Sequence, residues 1–150
     1  MPTPLRILVL ADTHNHLPDK LNALAEGVGE IWHLGDVCAP DLLETFRAIG
    51  PPVVVVHGNC DSHPAWPLVV DLERSGVRFR LLHIPPARPP TNVDVLLHGH
   101  THVPRDEKLG NVRFLNPGCV TRPNRGAPAS VAHLTIEADG ALTWELTRLR

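Results

Sequence analysis

The sequence lacks several features that mark common classes of protein. It has three cysteines, and Cys38, Cys60 and Cys119 lie too far apart to form a Cys-x-x-Cys pair. Neither a disulfide framework nor a structural zinc knuckle is therefore indicated. No apolar run is long enough to span a membrane, and no signal peptide opens the chain. We therefore expect a cytoplasmic protein without a membrane partner.

Aromatic residues and positive charge are also scarce. Aromatic residues make up 4% of the chain, and the formal net charge is −2. Surfaces that bind nucleic acids combine a basic stripe with aromatic side chains that stack on bases. The composition therefore indicates no specific nucleic-acid partner.

Histidine and proline, in contrast, are abundant, with 10 and 16 residues respectively. So many histidines in a chain of 150 residues prompt a search for metal ligands. The length suffices for one domain with a hydrophobic core, and no linker or internal repeat divides it. We therefore expect a single domain over residues 1–150.

The first half of the sequence alternates short apolar runs with amphipathic segments. The apolar runs predict strands over 5–11, 31–34 and 53–56. A first helix is predicted to open at Pro18-Asp19 and to carry apolar residues at helical spacing as far as Val28, and a second is predicted from Pro40 to Ile49. Strands that alternate with helices predict a parallel sheet with right-handed crossovers.

The second half has the pattern of an antiparallel structure. Strands are predicted over 66–72 and 77–82, over 93–97 and 112–115, and in a terminal hairpin over 130–136 and 141–148. The proline-rich segment between them is predicted to be irregular and to form a stiff, low rim. We expect an α/β fold in which two mixed β-sheets pack as a sandwich flanked by helices, a four-layer αββα arrangement.

Polar residues follow the predicted strands at their carboxyl ends, where α/β sheets bind their ligands. These residues are Asp12, His14, Asp36, Asn59, His83, His100 and His102. His100 and His102 are two residues apart, so an extended chain directs both imidazoles to the same side. Two imidazoles presented together are typical of a metal site.

In this order the motifs resemble the calcineurin-like metallophosphoesterase superfamily, and most closely its small bacterial and archaeal phosphodiesterase branch. The resemblance extends from Leu5 to about Gly118 and rests on Asp12-x-His14, Gly35-Asp36, Gly58-Asn59-x-Asp61, His83 and Gly99-His100-Thr101-His102. It implies a first metal site of Asp12, His14, Asp36 and His102. It also implies a second site of Asp36, Asn59, His83 and His100, with Asp36 shared between the two.

The chemistry of these residue types agrees with that implication. Two divalent cations about 3.5–4 Å apart need a bridging carboxylate, for which Asp36 is suited. Four imidazoles favour Mn, Fe, Co, Ni or Zn over Ca or Mg. We expect two such ions per chain and a small phosphodiester substrate, hydrolysed by in-line attack of a hydroxide between the ions. Asp36, Asn59 and His100 are the candidate catalytic residues.

Two positions depart from the resemblance. His83 is followed by Ile84, where the family usually has glycine, so it is the least secure ligand. Cys60 stands where larger members have a histidine that protonates the leaving group, and a thiol is a weak donor. Cys60 is therefore a doubtful catalytic residue. Asp61 and Asn116 are expected to orient backbone rather than to act on substrate.

Two other functions remain open from the sequence. One is a phosphomonoesterase or nuclease on the same metal site. The other is a non-catalytic scaffold on the same fold, resembling the metallophosphoesterase-like subunit of the retromer coat. Loss of ligands would mark a scaffold, and here every ligand position is filled. The oligomeric state, including a homo-oligomer, also stays open.

Overall fold

The structure, a computed structural model, describes residues 3–18, 20–122 and 124–149. Asp19, at the predicted start of the first helix, lies outside the described residues. The elements follow one another as β1 (Leu5–Leu10), α1 (Leu21–Leu24), β2 (Glu30–His33), α2 (Pro40–Ala48), β3 (Val53–Val55), β4 (Val69–Arg74), β5 (Val77–Leu82), β6 (Val95–Leu97), β7 (Arg105–Leu109), β8 (Val112–Asn116), β9 (Ser130–Ile136) and β10 (Leu142–Arg148).

The strands form two mixed five-stranded sheets, which confirms the predicted sandwich. The first sheet has the order β10-β9-β1-β2-β3, and the second has the order β4-β5-β6-β8-β7. In the first sheet β1, β2 and β3 are parallel, whereas β9 and β10 are antiparallel additions. In the second sheet β5, β6 and β8 are parallel and the two outer strands are antiparallel to them. The antiparallel pattern predicted for the second half is therefore wrong for these three central strands and holds for the outer strands and the terminal hairpin.

Strand β1 is buried on both faces, as its continuous apolar sequence predicts. Ile7 and Val9 pack in the core between the two sheets, together with Trp32, Phe79 and other residues of both sheets. Leu8 and Leu10 alternate with them and pack on the opposite face, against the helices. The carboxyl end of β1 therefore lies at the edge where the two sheets meet.

Both helices cover the outer face of the first sheet. Helix α2 begins with Pro40 in its first turn and buries Leu43 and Phe46. Helix α1 is shorter than predicted because the chain turns at Gly27, whose φ is +76°. No helix in the described part of the chain is long and apolar enough to cross a bilayer.

The outer face of the second sheet is covered differently. Among the described residues no helix packs there. Leu96, Val112 and Phe114 cluster instead with Val93, the first residue of the segment predicted as a strand over 93–97. The helical layer predicted on this face is therefore not found among the described residues.

Strand β7 is the element that the sequence pattern missed. It has the sequence Arg-Asp-Glu-Lys-Leu and so carries no apolar alternation. It forms through pairing with β8 at the edge of the second sheet, supported by an ion pair between Asp106 and Arg113 at 2.8 Å. Charged residues are common on edge strands, where they discourage further pairing.

His33, the last residue of β2, is held neutral inside the fold. The backbone N–H of Gly35 donates to its Nδ1 at 3.1 Å, so Nε2 carries the proton and donates to Thr13 Oγ1 at 3.0 Å. Burial lowers the pKa of His33 to about 3. A histidine unfolded in water has a pKa near ~6.5.

The depressed pKa of His33 predicts a loss of stability in acid. As the pH falls from ~6.5 towards 3, the unfolded state takes up a proton that folded His33 refuses. With metal chelated, we expect the free energy of unfolding of the wild type to fall by about 2 kcal/mol more than that of His33→Gln between pH 7 and pH 5. Urea unfolding at the two pH values measures this difference.

The control for this experiment is His16→Gln, because His16 is exposed. This variant should follow the wild type at both pH values. Equal pH dependence of the wild type and His33→Gln would show that His33 takes up a proton in the folded state as readily as in the unfolded state.

Candidate metal centre

The predicted ligands come together at the edge of the sandwich where the carboxyl ends of the parallel strands meet. Asp12 and His14 follow β1, Asp36 follows β2 and Asn59 follows β3. From the second sheet, His83 directly follows β5, and His100 and His102 lie in the loop after β6. The distances between their side chains define one continuous cluster.

Asp36 lies at the centre of this cluster. Its Oδ1 accepts a hydrogen bond from the backbone N–H of Cys60 at 2.8 Å. Its Oδ2 lies 3.4 Å from His14 Nε2 and 3.3 Å from His83 Nε2. One oxygen of a single carboxylate therefore faces two imidazoles that belong to different sheets.

Asp12 is fully buried beside Asp36 and has one oxygen without a hydrogen-bond partner. Its Oδ2 accepts the backbone N–H of His100 at 3.2 Å. Its Oδ1 lies 3.5 Å from His102 Nε2 and 3.7 Å from His83 Nε2, too far for a hydrogen bond. Asp12 Oδ1 and His83 Nε2 are two of the three buried side-chain polar atoms in the described residues that lack a partner.

Three of the histidines are held in the tautomer that binds metal through Nε2. The Nδ1 atoms of His14, His83 and His102 lie 3.0, 2.8 and 2.7 Å from the carbonyl oxygens of Asp12, Leu34 and Arg122. A carbonyl oxygen has no hydrogen, so each Nδ1 must donate. In a neutral ring this leaves the lone pair on Nε2, the nitrogen that lies nearest the carboxylates. Backbone acceptors of this kind orient metal-bound histidines.

The histidines form two pairs. The rings of His14 and His102 lie with their centroids 5.3 Å apart, and those of His83 and His100 lie 5.2 Å apart. His100 Nδ1 is 3.1 Å from Asn59 Oδ1, a spacing at which two ligands can bind the same ion. Because His14 and His83 both approach Asp36 Oδ2, the pairs meet at that oxygen.

Most of these residues have an unusual backbone conformation. Five of the seven have φ between +45° and +72°, the left-handed region: Asp12, His14, Asp36, His100 and His102. This region costs most side chains on the order of 1–3 kcal/mol each, and such residues cluster at functional sites. Backbone hydrogen bonds hold the loops in place, with Asp12 N–H bonded to Gly35 O and His14 N–H bonded to Asp36 O, both at 3.0 Å.

Asp61 connects the loop after β2 to the loop after β3 through hydrogen bonds to its carboxylate. Its Oδ2 accepts the backbone N–H groups of Asp36 and Gly58 at 2.9 and 2.8 Å, and its Oδ1 accepts that of Cys38 at 2.7 Å. A Cβ on Gly58 would collide with the backbone N and Oδ1 of Asp36, so only glycine fits there. The prediction that Asp61 orients backbone is confirmed.

Asn116, at the end of β8, fixes the loop that carries His100 and His102. Its amide donates to Gly99 O at 3.2 Å and to Thr101 Oγ1 at 3.1 Å. This agrees with the expectation that Asn116 shapes the structure beside the site.

The two carboxyl groups have opposite electrostatic environments. Burial raises the pKa of Asp12 to about 7. Burial also disfavours the charged form of Asp36, but His83 and the N–H of Cys60 outweigh it and hold the pKa of Asp36 well below its usual range. Burial opposes protonation of His83, yet the Asp36 and Asp12 carboxylates raise its pKa.

These features fit a divalent metal ion. The ligand atoms of Asp12, Asp36 and His83 all lie within 4.8 Å of one another in a buried position. A cation there would bind the two unpartnered atoms and offset the buried negative charge. The donor set, imidazole nitrogen with carboxylate oxygen, is one that binds transition metals.

Two residues that support His14, namely Cys119 and Thr121, were not predicted from the sequence. Buried Cys119 donates from Sγ to the carbonyl oxygen of Asp12 at 3.3 Å, and Thr121 donates to the same oxygen at 3.2 Å. They support the peptide that orients His14. Their only signal is their position after Asn116-Pro117-Gly118, and nothing in their side chains indicates this role.

Cys60 is exposed and lies beside Asp36 and Asn59. Burial of its sulfur and the negative charge of Asp36 raise the pKa of its thiol. In the metal-free protein Cys60 is therefore a neutral thiol at pH 7. That the proline-rich segment forms a stiff, low rim beside the cluster stays a prediction.

Comparison with known proteins agrees with this geometry. Residues 5–139 match the model of the calcineurin-like phosphoesterase superfamily domain. The phosphodiesterase YfcE of Escherichia coli strain K12 is 31% identical over an alignment of 141 residues, which covers 85% of this chain and 71% of that protein. Its solved structure superposes with a TM-score of 0.74 at 25% identity, covering 97% of this chain and 100% of that one.

Two further relatives extend the comparison. A probable metallophosphoesterase of Methanothermobacter thermautotrophicus is 32% identical over 151 residues, covering 87% of this chain and 86% of that protein. The structure of vacuolar protein sorting 29 from Cryptosporidium parvum has a TM-score of 0.78 at 21% identity, covering 97% of this chain and 98% of that one. The second likeness shows the fold alone.

The match over residues 5–139 covers most of the sequence, including every motif at the strand ends. The chain therefore belongs to the calcineurin-like phosphoesterase superfamily, a superfamily of metal-dependent phosphoester hydrolases, as its motifs predict.

Proposed function

We propose that this protein is a phosphodiesterase that works with two divalent transition-metal ions, drawn from Mn, Fe, Co, Ni and Zn. The observation that carries the proposal is the position of Asp36 Oδ2 between the Nε2 atoms of His14 and His83. A single oxygen in that position suits a bridge between two cations. The names of the relatives, a phosphodiesterase and a probable metallophosphoesterase, agree with it.

The two pairs of histidines divide the ligands into two sets. Asp12, His14, Asp36 and His102 would hold the first ion, and Asp36, Asn59, His83 and His100 would hold the second. When bound, such ions supply Lewis acidity, which stabilises charge on phosphoryl oxygens and lowers the pKa of a water. Asp36 is suited to the bridge because its pKa is low, so it is ionised at every pH of interest.

The charges in the site favour a diester over a monoester. Two dications with the carboxylates of Asp12 and Asp36 and one hydroxide would have a net charge of about +1. A phosphodiester carries one negative charge and would neutralise this site. A phosphate monoester carries about two at neutral pH. Three of the four histidine ligands are aligned by backbone acceptors before any substrate binds, which limits reorganisation during the reaction.

Three free cysteines fit a reducing compartment, for which we propose the cytoplasm. The scaffold alternative has no specific support, because every ligand position of the site is occupied by the expected residue type.

The bridging role of Asp36 predicts the effect of removing its charge. In Asp36→Asn, two close cations would lose the anion that holds them together. We expect the variant to lose at least one ion per chain and to lower kcat/KM on an aryl phosphodiester by roughly 10³-fold or more. Metal analysis of the purified protein and steady-state assays measure both effects.

The matched control is Asp71→Asn, which removes an exposed carboxylate that pairs with Arg80 on the second sheet. It should retain metal and activity. An Asp36→Asn protein with two ions and nearly normal turnover would refute the bridge.

The raised pKa of Asp12 predicts that its carboxylate destabilises the metal-free protein at high pH. Because the pKa of about 7 in the folded protein exceeds that of an unfolded aspartate, ~3.9, stability present in acid is lost as the pH rises between these two values. With chelator, Asp12→Asn should therefore be more stable than the wild type at pH 8, by on the order of 2 kcal/mol, and should show no such gain at pH 4.

With manganese bound, the wild type should instead be more stable than Asp12→Asn at pH 8. Manganese should raise the melting temperature of the wild type at pH 8 and raise it less at pH 5.5, where protons compete for the imidazoles and for Asp12. The Asp12→Asn protein should respond weakly at either pH. A wild type stabilised equally at both pH values would contradict the proposed competition between protons and metal.

Cys60 predicts a preference among leaving groups. A neutral thiol is a poor general acid, and a thiolate beside two cations would have no proton to donate. Assistance by a general acid is typically worth ~10²–10⁴-fold when the leaving group is a strong base. We expect faster hydrolysis of aryl than of alkyl phosphodiesters, and a loss of less than ~10-fold in Cys60→Ala on the aryl substrate. The aryl-to-alkyl ratio of kcat/KM is measured in wild type, Cys60→Ala and Cys60→His, and the last should gain on the alkyl substrate. A loss of a hundredfold in Cys60→Ala with metals still bound would mean that Cys60 takes part directly.

A further inference from the structure

A small apolar cavity opens beside one half of the candidate metal centre. It has a volume of about 240 Å³, and Asn59 and His83 are among the residues that line it. Its lining also includes Leu68, just before β4, Val69, the first residue of β4, and Ile84, which follows His83. We call these three side chains the apolar shelf. It is continuous with the proposed second metal site because the two share lining residues.

The apolar shelf is unusually exposed for its composition. Leu68, Val69 and Ile84 are 69%, 47% and 53% exposed. They are three of the five large hydrophobic side chains that are exposed among the described residues, the others being Leu17 and Leu146. Apolar side chains scattered singly need no explanation, but a cluster at a cavity indicates a binding surface.

The backbone holds the apolar shelf in a fixed position. Val69 pairs with Leu82 in the antiparallel register of β4 and β5, so the start of β4 lies beside the end of β5. The carbonyl oxygen of Pro67 accepts the backbone N–H of His57 at 2.7 Å, which ties this segment to the loop after β3. The shelf is therefore built on the same elements that present Asn59 and His83.

The other side of the metal centre has a different character. There a cavity of about 330 Å³ is lined by polar and apolar side chains in equal number: His14, His16, Thr121 and Arg122 with apolar residues that include Leu17 and Leu149. A phosphodiester has two substituents on its phosphorus. If the phosphate lies at the metals, one substituent has polar and basic side chains within reach and the other has mainly the apolar shelf.

We propose that the apolar shelf binds one aromatic or short aliphatic substituent of the phosphodiester substrate. This inference rests on the proposed function and adds the chemical class of the substituent. Pockets for whole drug-sized ligands have volumes of ~300–1,000 Å³, so this cavity is of a size for one ring or a short chain. The substrate class is an asymmetric phosphodiester that carries one apolar substituent.

The test compares two non-hydrolysable anions that differ only in that substituent. Phenylphosphonate and methylphosphonate have the same charged head group, so the ratio of their Kd values isolates the ring. Calorimetric titration of the manganese-loaded protein gives both constants without requiring turnover. From the apolar area of a ring, we expect phenylphosphonate to bind at least ~10-fold more tightly to the wild type.

Leu68→Ser and Ile84→Ser should each reduce this ratio by at least ~3-fold and leave the Kd of methylphosphonate unchanged. Both side chains are largely exposed, so the fold should tolerate the changes. Leu146→Ser is the matched control, because Leu146 is 47% exposed on β10 and does not line the cavity. It should leave both constants as in the wild type.

Three results would overturn the proposal: a wild-type ratio near one, a ratio that survives both serine variants, or a dimer in sedimentation that Leu68→Ser dissociates without changing the ratio. The third would make the apolar shelf a contact between copies of this chain. Failure of the proposed function is distinguishable, because neither phosphonate would then bind in a manganese-dependent way and no aryl phosphodiester would be hydrolysed.

Discussion

The structure depends on two carboxylates that are held against each other at the edge of a sandwich. Asp12 and Asp36 are almost completely buried, and only histidines approach their oxygens closely enough for an ion pair among the described residues. Asp12 Oδ1 has no hydrogen-bond partner, and burial disfavours the charged form of both carboxyl groups. This unfavourable electrostatic free energy arises at the proposed metal site, where bound cations would offset it.

The surrounding loops are built to keep that arrangement in place. Asp61 accepts backbone N–H groups from the loops after β2 and β3, and Asn116 donates to the loop after β6. Each loop is therefore tied to a neighbour rather than left to adopt its own preferred conformation. This explains how residues such as Asp36 and His100 are kept at positive φ. The left-handed backbone conformation turns the chain sharply after a strand, so that the side chains that follow face the site.

The sequence predicted the fold well where periodicity and burial agree. Strand β1 and helix α2 were predicted within a residue of their ends because their apolar residues follow one clear spacing. Helix α1 was predicted too long, since its apolar spacing continues past the turn at Gly27. Strand β7 was missed because it is stabilised by β8 and by its own charged side chains rather than by burial.

The candidate ligands could be predicted because each follows a strand, and parallel strands bring their carboxyl ends to one edge. Their tautomers could not, since these depend on carbonyl oxygens from other loops, such as Leu34 O for His83. The same holds for Cys119, whose contact with the Asp12 carbonyl spans 107 residues of sequence. The apolar shelf also joins segments that have no common pattern in the sequence.

Anomalous diffraction from crystals of the manganese-loaded protein tests the proposed centre most directly. We expect two peaks about 3.5–4 Å apart on either side of Asp36 Oδ2. One peak should be bound by His14 and His102 and the other by His83 and His100. A single peak, or two peaks that do not share Asp36, would contradict the dinuclear centre.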